Sequence, residues 1–529
     1  MSQGYGPVVG QANPGFFEFN IVDPKIRPSN YEYVQIDIVE AFAGKEEPVT
    51  VLGQVKNVYS RHPFYDLRAS PEAVWKQQQL GQADSLLQIV ASVKVLGYVH
   101  ESGNQRREIK RPRSPPMPGT LVQRASDELI AEFFRLGEKD VPLSVGHLLH
   151  RPNVPIPLSA RELHRHTAIV AMTRYGKSYF AGKIMEELLR RGATILTIDV
   201  HGDYISMVNK PDGTVHEYFR DRISVFRPEG AEDLGLPHVR PLRLSIGSCG
   251  FSELCSLAGI QGDLQMIVLR NALKRVGEKK GTVYGLKDVV SFLEGDMEEE
   301  KAEEKGRIFN IIRRLEELDE RGVFGDYETS VQEFFRPGHL SAIYLSGLPS
   351  SIQDILVGLL LRKVFDVKFR KLPWARLPLF IFVEEAHRFA APPDIGGGRF
   401  SRDILARIAA EGSKFGMFLT VISQRPRRLD PDILSNCSNL AVLRVVNRED
   451  QLMIEAASES FSEDLLSDLP ALDQGEVVLV GPFVPVPVMI KTIERETQHG
   501  GATPDVYGLL AEARTEEERK EEKRSRRIY

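Results

Sequence analysis

The feature that most constrains this chain is the tripeptide Gly176-Lys177-Ser178, which follows an apolar run and precedes a helical pattern. The apolar run Ala168–Met172 predicts a strand, and apolar residues at helical spacing after Ser178 predict a helix. A phosphate-binding loop requires inward-pointing backbone N–H groups at the start of a helix, a lysine that reaches the β- and γ-phosphates, and a hydroxyl group that holds Mg²⁺. The tripeptide meets these requirements. The sequence therefore predicts an ATP site with Mg²⁺ as its metal.

The predicted loop departs from the usual pattern at three positions. Ala171 stands where the first glycine of such a loop is expected, and Arg174 and Tyr175 occupy positions that small residues usually fill. We expect the N–H groups of Arg174 and Tyr175 to face the phosphates while their side chains point outward, which places a cation and an aromatic ring on the rim. Thr173 and Tyr179 complete the set of loop residues expected to contact the nucleotide.

A pair of glutamates ends a second apolar run. Residues 377–383 read LPLFIFV and predict a buried strand, which Glu384 and Glu385 follow directly. Acidic residues at the carboxyl edge of a parallel sheet face the phosphates from the neighbouring strand. We assign Glu384 to the magnesium shell, through water, and Glu385 to orienting the attacking water. His387 is expected to make a structural hydrogen bond.

The pattern along the chain predicts several segments in an α/β protein. Residues 1–150 alternate short β-type runs with Gly, Pro and Asn, which is typical of a small barrel or sandwich. Residues 151–245 and 336–500 alternate apolar strands with amphipathic helices, which predicts one domain with a parallel-rich sheet. Residues 246–335 show helical periodicity and predict an inserted helical subdomain. Residues 501–529 form a charged tail without an apolar face.

Composition excludes several classes of protein. The net charge of −5 is close to neutral for 529 residues, so any contact with nucleic acid must come from a local patch. The three cysteines form no CxxC pair, which argues against a zinc module and fits a reducing compartment. The chain starts without a basic and apolar leader, and no apolar run reaches the length needed to span a bilayer. We expect a cytoplasmic protein without membrane contact.

Two basic segments are candidates for contact with phosphate. The stretch PPDIGGGRFSRD places Arg399 and Arg402 after three glycines, which suits a loop that grips a DNA backbone without reading its sequence. A plain turn explains the same pattern. The second segment is the basic cluster between Arg106 and Arg113, for which a solvated hairpin tip is an equal explanation.

Five segments resemble, in this order, the HerA branch of the HerA–FtsK superfamily of ring-forming, DNA-translocating ATPases: HTAIVAMTRYGKS, ILTIDVHGDY, FIFVEEAHRF, AEGSKFGMFLTVISQRP and LPALDQGEVVLVG. The resemblance covers residues 155–495, and the β-rich start is similar to the small barrel that precedes the RecA-like motor of this family. It implies a RecA-like P-loop motor domain and a homo-hexamer that moves double-stranded DNA through its pore. It also implies a NurA-like nuclease as partner in DNA end resection and repair.

The resemblance implies roles for three further residues. Asp199 matches an acidic residue near the nucleotide pocket, Arg165 matches an arginine used at the subunit boundary, and Gln424 matches a polar sensor of the γ-phosphate. In the segment EGSK, Ser413 stands where the family has an arginine, which puts the usual arginine finger in question. The basic residues that remain candidates to replace it are Arg174, Arg402, Arg407, Lys414 and Arg425.

Two functions from different classes follow from these residues. The first is an ATP-driven motor that moves double-stranded DNA, which the paired glutamates favour. The second is a nucleotide-controlled ring scaffold that hydrolyses ATP slowly and assembles an effector, such as a nuclease or an anti-phage defence complex. The altered phosphate loop and the serine at position 413 favour the scaffold.

Overall fold

The computed structural model describes most of the chain and divides it into two compact units. The described residues are 4–42, 45–61, 88–102, 106–136, 140–233, 235, 239–299, 301–392, 399–458, 461, 463–500, 507, 508, 510, 511 and 513–515. The first unit comprises Met1–Arg165, Ser438–Val446 and Ile454–Ile493. The second unit comprises His166–Cys437, Asn447–Met453 and Glu494–Tyr529.

The elements are numbered in chain order among these residues. The strands are β1 (Gly4–Asn13), β2 (Phe16–Asn20), β3 (Tyr33–Phe42), β4 (Lys45–Arg61), β5 (Gln88–Ser102), β6 (Arg106–Lys110), β7 (Leu121–Arg124), β8 (Pro142–Leu148), β9 (Arg151–Ser159), β10 (Thr167–Val170), β11 (Thr194–Asp199), β12 (Ile223–Arg227), β13 (Val239–Pro241), β14 (Leu340–Tyr344), β15 (Leu379–Val383), β16 (Met417–Ser423), β17 (Asn439–Val442), β18 (Glu476–Val480) and β19 (Val488–Thr492). The α-helices are α1 (Asp127–Phe134), α2 (Lys177–Arg190), α3 (Phe251–Leu257), α4 (Asp263–Lys280), α5 (Leu286–Glu299), α6 (Ala302–Asp319), α7 (Ser350–Phe369), α8 (Arg399–Glu411), α9 (Pro431–Ser435), α10 (Arg448–Ala457) and α11 (Glu463–Asp468). In the part of the chain that the structure describes, no helix combines the length and the apolar character needed to cross a bilayer.

The first unit begins with a closed β-barrel. Its strands follow the order β2-β1-β7-β3-β4-β5, and antiparallel pairing of β2 with β5 closes the ring. Alternate side chains point into the barrel, so Phe17 and Phe19 of β2 and Val93 of β5 are fully buried. The small N-terminal barrel predicted from the sequence is confirmed. The same unit also contains antiparallel pairing in the order β17-β18-β19-β8-β9.

The second unit is built on parallel strands in the order β13-β12-β14-β11-β15-β16-β10. Every residue of β10, β11 and β14 is buried, as is usual for strands that helices cover on both faces. Parallel strands end at the same edge, so Val170, Asp199, Val383 and Ser423 lie at the carboxyl edge of this sheet. The predicted α/β fold with a parallel-rich sheet is confirmed.

The chain between β13 and β14 is helical in its described part and contains α3, α4, α5 and α6. Helix α6 buries Ile308, Ile311 and Leu315 at helical spacing, which gives it one apolar face. Glu303 and Glu304 lie in its first turn, where negative charge interacts favourably with the helix dipole. The inserted helical subdomain predicted from periodicity is confirmed.

The segment Glu494–Gly500, which we call the C-terminal strap, packs on α2 through a buried ion pair. Nε of Arg495 lies 3.5 Å from Oε1 of Glu186, and both side chains are buried. The same oxygen accepts hydrogen bonds from the backbone N–H of Thr497 at 2.9 Å and from its hydroxyl at 2.6 Å. Gly182 leaves room for the guanidinium, because a Cβ there would lie 2.4 Å from Nη1 of Arg495. The strap is therefore fixed to the helix that follows the phosphate loop.

We expect Gly182→Ala to destabilise the protein by about 1–3 kcal/mol, because overpacking a buried contact outweighs the better helix propensity of alanine. Gly306→Ala in α6 is the matched control, since a Cβ at that position meets nothing within 4 Å. The control should stabilise the protein by about 0.5–1 kcal/mol. Urea unfolding of both variants measures the two free-energy changes. A neutral or stabilising Gly182→Ala would contradict the close packing of the strap.

Candidate nucleotide-binding site

The predicted phosphate loop connects β10 to α2 at the carboxyl edge of the parallel sheet. Helix α2 begins at Lys177, and Gly176 before it has a φ of +96°, a conformation that glycine adopts without steric cost. Arg174 also lies in the left-handed region, with a φ of +70°, which costs a non-glycine residue about 1–2 kcal/mol. Its side chain is exposed, as the sequence predicts. Ala171 has no positive φ and is buried, so the loop does not need glycine at that position.

Lys177 and Ser178 converge on the glutamate pair that follows β15. Nζ of Lys177 lies 2.5 Å from Oε1 of Glu384 and 3.1 Å from Oε1 of Glu385. The hydroxyl of Ser178 donates to the same oxygen of Glu384 at 3.1 Å. Burial lowers the pKa of Lys177, but the charges of both carboxylates outweigh it and raise this pKa above its usual range. Lys177 is therefore a buried ammonium ion held between two carboxylates.

Glu384 has a third partner, which the sequence did not reveal. The hydroxyl of Tyr204 donates to Oε2 of Glu384 at 2.6 Å, and both side chains are fully buried. Burial raises the pKa of Glu384, while Lys177 and Tyr204 act in the opposite direction. The segment ILTIDVHGDY, which carries part of the family resemblance, ends at this tyrosine. Its position in that segment was the only available signal, because no rule of spacing connects residues 204 and 384.

Asp199 shapes the loop that brings Tyr204 to the glutamate. Its carboxylate accepts hydrogen bonds from the backbone N–H groups of Gly202, Asp203 and Tyr204 at 2.7, 3.0 and 2.9 Å. Burial, followed by the charge of Asp203, raises the pKa of Asp199 to about 7. The family resemblance places this residue near the nucleotide, which stays a prediction. The contacts in the structure give it a role in positioning the loop.

Glu385 differs from Glu384 in the hydrogen bonding of its second carboxylate oxygen, Oε2. Its backbone has a φ of +48°, another left-handed conformation of a non-glycine residue. Oε2 is buried and has no hydrogen-bond partner among the described residues. Nδ1 of His387 lies 3.2 Å from this oxygen, yet without the geometry of a hydrogen bond, and burial lowers the pKa of His387 to about 4. Oε2 is thus a buried acceptor available to a proton from water.

Gln424 reaches the phosphate loop because of strand register. Val170, the last residue of β10, is the partner of Ser423, the last residue of β16. The next residues leave the sheet side by side, and the hydroxyl of Thr173 donates to the side-chain oxygen of Gln424. The structure therefore brings together the predicted sensor and the phosphate loop.

Arg165 and Tyr179 have other contacts in the structure. Nε of Arg165 lies 2.9 Å from Oε2 of Glu162, and its side chain is half-exposed in the first unit. The hydroxyl oxygen of Tyr179 accepts a hydrogen bond of 2.8 Å from the backbone N–H of Arg495 in the C-terminal strap. The role of Arg165 at a subunit boundary and that of Tyr179 at the nucleotide stay predictions.

The predicted DNA-binding stretch is only partly described. Residues 393–398, which include the three glycines, lie outside the described residues, and α8 begins at Arg399. Arg402 therefore lies on a helix, where its Nε contacts Asp430 at 2.7 Å and its Nη1 contacts Asp403 at 3.1 Å. These ion pairs compete with phosphate for its guanidinium. The contact of Arg399 and Arg402 with DNA stays a prediction.

The residues at the carboxyl edge fit a magnesium ion that a nucleotide brings with it. Among the described residues, no group of three or more His, Cys, Asp or Glu side chains is arranged to hold a metal by itself. Magnesium usually takes one or two protein oxygens and completes its shell with phosphate and water. The Ser178 hydroxyl and the Glu384 carboxylate provide such oxygens, in contact with each other.

Comparison with known proteins agrees with this geometry. The family described as "Helicase HerA, central domain" matches residues 143–364. A probable helicase of Methanocaldococcus jannaschii is 31% identical over 430 residues, which cover 78% of this chain and 78% of that protein. The chain belongs to the HerA family.

One further relative and one solved structure are similar to this HerA-family chain. The DNA double-strand break repair helicase HerA of Pyrococcus furiosus is 29% identical, with 96% of this chain and 95% of that protein covered. Among solved structures, VirB4 of Thermoanaerobacter pseudethanolicus is similar with a TM-score of 0.50 and 14% identity, covering 68% of this chain and 98% of that chain. The latter likeness concerns the fold alone. By family and by fold, the chain is a P-loop ATPase.

The buried cluster predicts an unusual pattern of stability. Without nucleotide, Lys177→Met should destabilise the protein by about 3–5 kcal/mol, because two buried carboxylates lose their cation. Adding Glu384→Gln to Lys177→Met should restore most of this loss, since it removes one uncompensated charge, while ATP hydrolysis stays absent in both. Urea unfolding and ATPase assays measure the two properties.

The control for this experiment is Lys287→Met, whose side chain is 80% exposed. It should change the free energy of unfolding by no more than about 0.5 kcal/mol. If Lys177→Met is as stable as this control, or if the second substitution lowers stability further, Lys177 does not neutralise the glutamates.

Proposed function

We propose that this HerA-family ATPase hydrolyses ATP with Mg²⁺ to move double-stranded DNA, as a homo-hexameric ring. The observation that carries the proposal is the convergence of Lys177, Ser178, Glu384 and Glu385 at one sheet edge. Phosphoryl transfer needs a cation for the phosphates, a metal shell and an acceptor for the proton of water. The four side chains meet these three needs, with Ser178 and Glu384 sharing the metal shell.

Each side chain has a distinct part in the proposed reaction. Mg²⁺ would supply positive charge that neutralises the phosphates. Ser178 and Glu384 would hold the metal, Glu384 through water, and Tyr204 keeps the Glu384 carboxylate in place. Lys177 contacts the phosphates with its ammonium group. Oε2 of Glu385, which has no hydrogen-bond partner in the described part of the chain, orients the attacking water and takes its proton.

Gln424, which follows β16, connects this strand to the phosphate loop. Its side chain already contacts Thr173, so a change in the loop on loss of the γ-phosphate reaches β16 directly. We infer that this contact reports the state of the nucleotide to the sheet. Thr173, Arg174 and Tyr175, together with Gly176 and Tyr179, form the proposed contact surface of the nucleotide.

The DNA substrate is proposed from the relatives. Helicases named for double-strand break repair cover nearly the whole chain. A role in DNA end resection with a NurA-like nuclease, in the cytoplasm, is the corresponding proposal for this protein. Arg399 and Arg402 remain proposed DNA contacts, and Arg165 a proposed contact at the subunit boundary.

The ring scaffold remains the second candidate because of Ser413. The hydroxyl of Ser413 lies 3.4 Å from Nε2 of His166, and this serine stands where the family has an arginine. A motor that lacks this arginine needs another one, whereas a scaffold with slow hydrolysis does not. The two functions differ in their response to DNA.

We expect Glu385→Gln to bind ATP and Mg²⁺ normally and to hydrolyse ATP about 10²- to 10⁴-fold more slowly, because the amide cannot take a proton from water. Glu317→Gln, on an exposed helix face, should match the wild type. Nucleotide binding and steady-state hydrolysis, each with and without duplex DNA, are the measurements. Strong stimulation of the wild type by duplex supports the motor, and low turnover that duplex does not change supports the scaffold. If Glu385→Gln fails to bind ATP with Mg²⁺, the roles of Glu384 and Glu385 must be exchanged.

A further inference from the structure

A surface pocket with charged walls lies at the edge of the parallel sheet opposite the phosphate loop. It has a volume of about 380 Å³ and is lined by residues that precede β12 and β14, including Arg222 and Arg336 together with the acidic residues Glu217 and Asp221. A neighbouring depression of about 450 Å³ continues toward the start of β13 and shares Arg336 with it. The pocket lies at the amino ends of these strands, whereas the nucleotide site lies at the carboxyl ends. It is therefore separate from the ATP site.

Two arginines of this pocket, Arg222 and Arg336, form no ion pair with a carboxylate among the described residues. The nearby carboxylates each contact another cation: Glu217 with Lys210 at 3.6 Å, Asp221 with Arg220 at 3.1 Å, and Glu333 with Arg240 at 3.1 Å. Within the described residues, Arg222 and Arg336 have no carboxylate in ion-pair contact. The pocket therefore contains two guanidinium groups that make no direct ion pair among the described residues, beside the carboxylates of Glu217 and Asp221.

Arg222 is held in place by its surroundings. Its guanidinium stacks over the ring of Tyr218 at 4.4 Å and contacts the carbonyl oxygen of Gly338 at 3.4 Å. Gly338 has a φ of +64°, and a Cβ at this position would lie 2.9 Å from Nη1 of Arg222. The glycine thus provides the space in which the guanidinium lies. A cation fixed in this way loses less freedom when it binds an anion.

His339 is a buried residue in the wall of the pocket, and the charges of the same arginines affect its pKa. Nη1 of Arg336 lies 3.4 Å from Nε2 of His339, and the hydroxyl of Ser224 lies 2.9 Å from the same nitrogen. Burial first, and then the charges of Arg336, Arg240 and Arg222, lower the pKa of His339 to about 4. The imidazole is neutral at pH 7 and accepts hydrogen bonds. Three arginines therefore act on one ring in the wall of the pocket.

We propose that Arg222 and Arg336 bind a backbone phosphate of duplex DNA in this pocket. A guanidinium presents planar N–H donors that match the oxygens of a phosphate, and two of them around one pocket fit a single phosphate group. The pocket is at the surface, and no base edge is needed for this contact, so the binding is independent of sequence. The inference rests on the proposed DNA function. It adds a DNA contact at the sheet edge that the nucleotide does not use.

The test compares the full-length wild type with Arg222→Ala/Arg336→Ala. One phosphate contact contributes a slope of about −0.9 in log K against log salt, so the variant should bind duplex about eightfold more weakly at about 0.1 M salt. The salt slope should fall by about one unit for each occupied pocket, whatever the base sequence. Basal ATP hydrolysis should not change. Fluorescence anisotropy with a labelled duplex at several salt concentrations measures affinity and slope.

The control is Arg275→Ala/Arg313→Ala, which removes the same charge from two exposed side chains of the helical insertion. It should bind duplex like the wild type. Arg222→Lys/Arg336→Lys keeps the charge and loses the planar donors, so it should recover the salt slope and only part of the affinity. This variant also separates a lost contact from misfolding, because recovery of the slope requires a folded pocket.

Four results would overturn the proposal in different ways. Unchanged affinity and slope in the double alanine variant, with a wild type that binds duplex, overturn it while the proposed DNA function stands. A wild type that does not bind duplex at all overturns the DNA function and this inference together. Unchanged duplex binding with lost binding of polyglutamate assigns the pocket to an acidic protein, and a thermal shift with inorganic phosphate alone assigns it to a small anion.

Discussion

The ammonium group of Lys177 between Glu384 and Glu385 is the interaction on which the site depends. Two adjacent carboxylates on one buried turn repel each other and are costly to bury, so they require a cation in contact. The lysine that follows the glycine of the phosphate loop provides it, at 2.5 and 3.1 Å. These ion pairs join the phosphate loop to the glutamates that follow β15. The oxygens of a bound triphosphate compete with the glutamates for this lysine. Binding of nucleotide and rearrangement of the glutamates are therefore coupled.

The two edges of the parallel sheet carry two different arrangements of charged side chains. At the carboxyl edge, the buried glutamates contact one lysine and a tyrosine hydroxyl within hydrogen-bond distance, which suits a site that must exclude water during hydrolysis. At the amino edge, Arg222 and Arg336 remain at the surface without a carboxylate in contact among the described residues. That arrangement suits a polyanion that binds and leaves repeatedly. A motor needs both kinds of contact on one rigid element.

The sequence predicted the parts of the site that obey local rules. Lys177 and Ser178 lie in a short motif, and Glu384 and Glu385 end an apolar strand, so pattern and spacing were sufficient to bring them to one sheet edge. Tyr204 and Arg495 were missed because their roles depend on contacts over 180 and 309 positions of the chain, for which the sequence has no period. Arg402 shows the reverse case. Its glycine-rich surroundings predicted a free basic loop, and only the structure shows the helix and the contact with Asp430.

The most direct test is the position of Lys177 in a structure of the protein with Mg²⁺ and a non-hydrolysable ATP analogue. The account predicts that Nζ leaves Oε1 of Glu384, now 2.5 Å away, and contacts the β- and γ-phosphate oxygens. It also predicts that the Ser178 hydroxyl contacts the metal and that Oε2 of Glu385 faces the water in line with the γ-phosphate. An analogue bound elsewhere, or a Lys177 that stays on Glu384 with the phosphates bound, would contradict it.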